Sequence, residues 1–313
     1  MQVIKKLYSQ PRLLLGLSIL LVFGLVAMAA PLLAPPQAED PYLLPRDGFK
    51  PVPLPPNADH PLGTLPDQYD VFHGVVWGTR VAFRMGLLIT AGRMVIGVVL
   101  GLIAGYYGGW LDNLLMRITD AFMAFPIMAV AVVALALFGE SRRMLEGGYW
   151  LVGNRKLEHV LILTLIGFGW MQYARLVRGN VLKERSQEYV EAAVALGLPN
   201  RRIMARHVLP NVTQGLFVLV AADISAAVVL MAAFNFLGLS VTPNGAPTAD
   251  WGQMLSVSRD WIIGVPGNPF GYWFTYLPPS LALLLFSVGW NLLGDGLRRA
   301  LDPRLQGRQG VAG

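Results

Sequence analysis

Residues 188–211 read EYVEAAVALGLPNRRIMARHVLPN, the most polar long segment between two apolar runs, and their punctuation describes two short helices. Val190, Ala193, Val194 and Gly197 recur at i, i+3, i+4 and i+7, which predicts one apolar stripe on the first helix. Gly197 suits the left-handed conformation that ends such a helix, and Pro199 suits the first turn of the next. Ile203, Met204 and Val208 supply an apolar side to the second helix, until Pro210 biases Leu209 out of helical geometry. Two small amphipathic helices between long apolar runs make an extramembrane loop.

Outward from that loop, 54% of the 313 residues are hydrophobic and only 14% are charged, with mean hydropathy +0.51. A soluble domain averages about 25% charged, so the composition is that of a membrane protein, and its long apolar runs make the expected fold an all-α membrane protein. The net charge of +6 sits on no basic, aromatic-interleaved face of a soluble fold, and a nucleic-acid partner is not expected. With no cysteine, disulfide and thiolate chemistry are excluded, and the four histidines show no metal-ligand spacing. The nearest match to a phosphate-binding loop, Gly148–Gly153, lacks the Lys-Ser/Thr pair. Neither a cofactor nor an enzymatic activity of the chain's own is expected.

Six spans are predicted, near 13–33, 83–106, 114–138 (bent near Pro126), 160–173, 215–237 and 277–297. The division is an N-terminal tail and first span at 1–34, an external loop at 35–82, a core of five spans at 83–300, and a tail at 301–313. The first apolar run exceeds the roughly 7–15 residues of a secretory signal, so it reads as retained. With both termini inside, fifteen Lys and Arg lie on the cytoplasmic side against nine outside, which puts the 188–211 loop in the cytoplasm. The four basic residues of the 139–158 loop would then be external and have no physical account.

Charges within spans are expensive and face a partner or a wet cavity. Arg93 lies about 15 Å below the outer end of its span and Asp223 about 21 Å below its own, a gap that an extended arginine bridges. An Arg93–Asp223 interaction is therefore expected, with Arg93, Asp223 and Met231 as candidates for a translocation pathway. Asp120 reads as a structural group near the inner interface. Gly97, Gly101 and Gly105 form a four-residue repeat that admits a neighbouring backbone.

Glu191-Ala192-Ala193, then Gly197, then Leu209-Pro210, resembles the EAA loop of ABC importer permeases, and the ending His207-x-Leu-Pro-Asn resembles the dipeptide and oligopeptide branch. His60-Pro-Leu-Gly-Thr64 followed by Asp70, the Trp251-Gly-x-x-Leu255 element and the tail Asn291–Arg298 resemble the same branch, although Gln68-Tyr69 replaces its usual Gly-Arg. The resemblance implies a type I importer transmembrane domain in the inner membrane. Its implied partners are a second homologous permease, two ABC ATPase subunits, an extracytoplasmic solute-binding protein and the lipid bilayer. It implies that Glu191, Ala192, Ala193, Gly197, Arg201, His207, Leu209 and Pro210 form the ATPase-docking coupling helices. Cargo would be di- or oligopeptides, with nickel chelates or oligosaccharides as alternatives inside the family. An ion-coupled secondary carrier is the alternative from another class.

Overall fold

The computed structural model describes residues 10–139, 156–213, 215–239, 246–262 and 270–301. The expectations for the 139–158 loop interior and for the C-terminal tail fall outside these residues, as do those for the Gly148–Gly153 segment. The regular structure of the described residues is helical, with no strand among them beyond three isolated bridges. The helices are α1 (Pro11–Leu33), α2 (Val71–Tyr107), α3 (Gly109–Ala124), α4 (Ile127–Gly139), α5 (Lys156–Gly167), α6 (Met171–Glu184), α7 (Glu188–Ala195) and α8 (Asn200–Ile203). After a π turn (Met204–Val208) come α9 (Leu209–Val212), α10 (Leu216–Phe234), a second π turn (Asn235–Leu239), α11 (Trp251–Val257), α12 (Arg259–Ile262) and α13 (Trp273–Leu301). Among the described residues five helical segments, α5 and α6 together making one of them, are long and apolar enough to cross a membrane, and six spans result if α3 and α4 count as one.

Two of the spans differ from their expected limits. α2 begins at Val71 rather than near 83, so residues 71–82, expected in the external loop, are its first three turns. The start signal is Asp70, whose Oδ1 accepts from the His73 backbone N–H at 2.6 Å as an N-cap. At 37 residues the helix is about 56 Å long, well beyond the ~30 Å hydrocarbon layer. Its first turns are buried beneath the loop between α1 and α2 and beneath α11. The fourth span runs from Glu158 to Glu184, 27 residues, because its inner arginines find partners on α3. Arg175 meets Asp120 at 2.5 Å, and Arg178 grips Asp112 through two bonds at 2.5 and 2.7 Å. Asp120 thus takes the structural place expected of it. Between α3 and α4, Pro126 holds Phe125 in extended geometry and the chain turns by 83°.

Packing begins with α1 lying antiparallel on α13, where Gly16 abuts the Gly289 and Leu293 backbone and Gly296 abuts Leu13. Pro31 has no N–H, which frees the Ala27 carbonyl one turn earlier. Arg80 of α2 donates to that carbonyl, and Trp77 Nε1 donates to the Ala34 carbonyl at 2.8 Å, closing the end of α1. Around these contacts Phe23, Trp251 and Phe286 pack edge to face at 5.6–5.9 Å. The loop between α1 and α2 is pinned to α2 at His60, whose Nδ1 lies 2.7 Å from Asp70 Oδ2 and Nε2 3.2 Å from Asp47 Oδ2. This joins the family-like His60 and Asp70 in one contact, although Gln68-Tyr69 replaces the usual residues before the aspartate.

Candidate functional site

The loop between α6 and α10 forms a compact two-helix unit. α7 ends in a left-handed Gly197 (φ 73°), with Leu198 N–H bonded to Ala193 O at 3.2 Å and Gly197 N–H to Val194 O at 2.9 Å. That double closure is a Schellman motif, and it needs the residue without a Cβ. Pro199 stands one position before the first turn of α8, with extended backbone. Val190, Ala193, Ile203, Val208 and Val212 bury their side chains together with Tyr173, Val177 and Val181 of α6.

The other half of the expected stripe points away. Val194 is 55% exposed and Leu196 80%, beside exposed Glu188, Glu191, Ala192 and Gly197. Ala193, expected at the docking surface, is buried; Ala192 and Glu191 are outside. Arg201 and Pro210 are exposed, and His207 and Leu209 are half-buried. The loop therefore presents a small bare apolar tip, Val194 and Leu196, beside charged residues. Val194 belonged to the expected apolar stripe but lies uncovered, and Leu196 lay outside the stripe; helical spacing alone does not tell which face is covered.

A polar clasp closes the base of the loop. Tyr189 Oη donates to Glu184 at the end of α6 and accepts from Asn211 Nδ2 at 2.8 Å. Asn211 Nδ2 also donates to the His207 carbonyl at 2.9 Å, within the π-turned segment that precedes Pro210. Partial removal from water, and then the Glu184 carboxylate, hold the Tyr189 phenol above its usual range, so the hydroxyl stays a donor. Four points of the loop, the end of α6, the start of α7, the π turn and α9, thus meet at one phenol.

Above the clasp, the loop is tied to α2. Arg185 Nη1 donates to the Gly105 and Tyr106 carbonyls at 3.3 and 3.2 Å, and Tyr106 Oη bonds Asn200 Oδ1 at 3.1 Å. Gly97, Gly101 and Gly105 face α6 as a row of close approaches. A Cβ at Gly97 would lie 2.4 Å from Tyr173 Cβ, and one at Gly101 2.5 Å from the Ala174 carbonyl. At Gly105 the same atom would meet Val181 Cβ at 2.7 Å. α2 and α6 run parallel here at a distance only glycine permits.

Deeper in the membrane, Arg93 and Asp223 meet. Arg93 Nη1 donates to Asp223 Oδ1 at 2.7 Å and Nε donates to the Leu165 carbonyl at 2.8 Å, while Tyr173 Oη donates to Asp223 Oδ2 at 3.1 Å. The Arg93 side chain is 6% exposed and that of Asp223 14%. Met231 is buried with Phe234 and Leu161, more than two turns along α10 from Asp223, and does not join the pair. Tyr173 and the Leu165 carbonyl went unread in the sequence, the one as an ordinary aromatic and the other as backbone. Among the described residues no three His, Asp or Glu side chains form a group that could hold a metal ion.

A family profile described as binding-protein-dependent transport system inner membrane component matches residues 97–307. A dipeptide transport system permease protein of Alkalihalophilus pseudofirmus is 34% identical over 96% of this chain and 89% of its own. The corresponding dipeptide permease of Bacillus subtilis is 32% identical over 93% and 81%. A glutathione transport system permease protein of Pectobacterium atrosepticum is 34% identical over 80% and 75%. The loop at 188–211 and the glycine row fall within the matched residues, as does Asp223, and Arg93 lies just before them. Matched over more than half its length by that profile, and over most of its length by such permeases, the chain belongs to the binding-protein-dependent transport system inner membrane components, the permeases of ABC importers.

Proposed function

We propose that this chain is one of two homologous permeases that together enclose the pathway of a peptide importer, driven by two ATPase subunits gripping residues 188–211. Relatives named for dipeptide and glutathione transport support peptide cargo, delivered by an external solute-binding protein. The observation that carries the reading is the bare apolar tip, Val194 and Leu196, on a loop held at its base by the Tyr189–Asn211 clasp and tied to α2 by Arg185. A rigid handle with an unsatisfied apolar end is what a partner's groove requires. Closure of the ATPases brings the two handles together. The spans then rock as units, the cavity opens outward to receive cargo, and hydrolysis returns it inward. Docking from the cytosol places both termini inside, in keeping with the excess of Lys and Arg on that side.

The test is Leu196→Asp in the whole reconstituted transporter. The expected result is loss of ATPase subunits on purification and a fall of about tenfold or more in transport-linked hydrolysis, as for a buried hot-spot residue of roughly 2 kcal/mol. Full retention of both would remove the docking role. Substrate class is settled separately, by ligand binding to the solute-binding protein that copurifies.

A further inference from the structure

The fourth span is interrupted at the level of Arg93. α5 stops at Gly167 and α6 starts at Met171, yet the two segments stay aligned well enough to count as one 27-residue span. In an unbroken helix the Leu165 carbonyl would accept from the Gly169 N–H. Here Gly169 N–H turns to the Ile166 carbonyl at 3.3 Å, and Arg93 Nε takes the place left at Leu165. The arginine reaches that carbonyl only across a residue with no side chain: a Cβ at Gly169 would sit 2.0 Å from Arg93 Nε.

We propose that residues 168–170 are a hinge in the fourth span and that Arg93, Asp223 and Tyr173 form the latch that holds it in one of the transporter's two states. This rests on the transporter reading, because α6 leads directly into the coupling loop. The latch spans the break: the Leu165 carbonyl belongs to the segment before it and Tyr173 to the segment after it. Both are tied to one ion pair whose members sit on other helices, α2 and α10. An ion pair this buried adds little net stability but is costly to leave half-made, so it selects one geometry over neighbouring ones. Arg93 is covered within a single subunit, whereas a pathway shared by two permeases runs along the surface where they meet. Its role is therefore to position the fourth span, and no contact with cargo is needed.

The chain has no cysteine, so Leu163→Cys and Leu182→Cys, both at exposed positions on either side of the break, give a clean pair of nitroxide sites. Distances between them are measured by double electron–electron resonance in the complete transporter in liposomes, without nucleotide and after vanadate trapping. Trapping is expected to give the wild type a second, shifted distance population. Asp223→Asn and the milder Tyr173→Phe are expected to raise that population without nucleotide by about fivefold or more, the lower end of ordinary coupling energies. Tyr173→Phe removes one hydroxyl, so it keeps the test valid where Asp223→Asn fails to assemble. A wild-type distance unchanged by trapping, or variants that match the wild type without nucleotide, overturns the latch. Absence of any ATP hydrolysis by the assembled complex overturns the transporter reading instead, and the nucleotide-free distances of the variants still decide the latch.

Discussion

From Val71 to Ile89, α2 is gripped by large side chains arriving from several sides, whereas from Arg93 to Tyr107 its main neighbour, α6, comes in against glycine. In the outer half, Trp77 meets Tyr42 edge to face at 5.6 Å, Phe83 meets Phe286 at 5.1 Å, and Trp251 lies over Gly78. In the inner half, three glycines set α6 almost backbone to backbone, and Arg93 and Arg185 add polar ties at either end of the row. Interlocked rings resist every direction of movement, since close-packed side chains have no room to slide. A glycine row resists separation and bending but passes a push along its length. The difference leads us to expect that the outer half acts as an anchor and that the inner half shares any displacement imposed on α6.

The largest effect is expected from breaking the inner half. Gly97→Leu places a Cβ 2.4 Å from Tyr173 Cβ and 2.5 Å from the Trp170 carbonyl, and neither atom belongs to a flexible side-chain end. The helices must separate, and Tyr173 leaves Asp223 as they do. Expected is loss of transport of at least about a hundredfold, the equivalent of roughly 3 kcal/mol, with little assembled complex recovered. Wild-type yield and transport from this variant would mean that α2 and α6 do not need their close approach.

Breaking the outer half should damage stability more than coupling. Trp77 is 2% exposed and caps α1 through the Ala34 carbonyl, so Trp77→Ala removes a core ring and a buried bond. A loss of about 3–5 kcal/mol is expected from the ring alone. It should be read as a lower thermal midpoint in detergent, while peptide carried per ATP stays near the wild-type value. An anchor that proved to set that ratio would erase the distinction between the halves.

How far these halves were legible from sequence differs in the same way. The inner half announces itself, because glycines at 97, 101 and 105 carry a spacing and Arg93 is conspicuous inside an apolar run. The outer half does not. Residues 71–82 hold His73, Arg80 and two glycines after a Pro- and Asp-rich stretch, and they become helical because Asp70 caps them and the loop covers them. The cap was a readable signal, and the cover was not. In the loop, spacing gave the two helices and the Gly197 closure, but it could not place Ala193 inside and Val194 outside. That choice depends on α6, which covers one side of the loop. The break at 168–170 was likewise hidden: Gly167 and Gly169 permit it, but its stabilising donor lies 72 residues away, at Arg93.

The finest separation of the halves is by pH, through Asp250. This residue caps α11, the helix that carries Trp251 over Gly78, and its Oδ1 accepts from the Gln253 backbone N–H at 3.0 Å. Burial pushes the Asp250 carboxyl above the usual carboxylate range, against the opposing pull of bonds from Asn235 and from the Gln253 and Gly252 backbone. A folded-state pKa above the unfolded one means that the folded protein holds its proton longer. Ionisation therefore costs stability as pH rises through the folded value, and the cost disappears as pH falls toward the unfolded value near 3.9. Asp250→Asn keeps a capping oxygen and removes the charge. The variant is expected to match the wild type at the acid end and to exceed its thermal midpoint slightly as pH rises to neutrality, by less than either substitution above changes it. Transport per ATP should not move, because the groups that tie the loop to α2 and α6 lie in the other half. A stability difference that shrinks toward neutral pH would reverse the sign of the burial effect at this cap, and with it the view of the outer half as a tightly covered anchor.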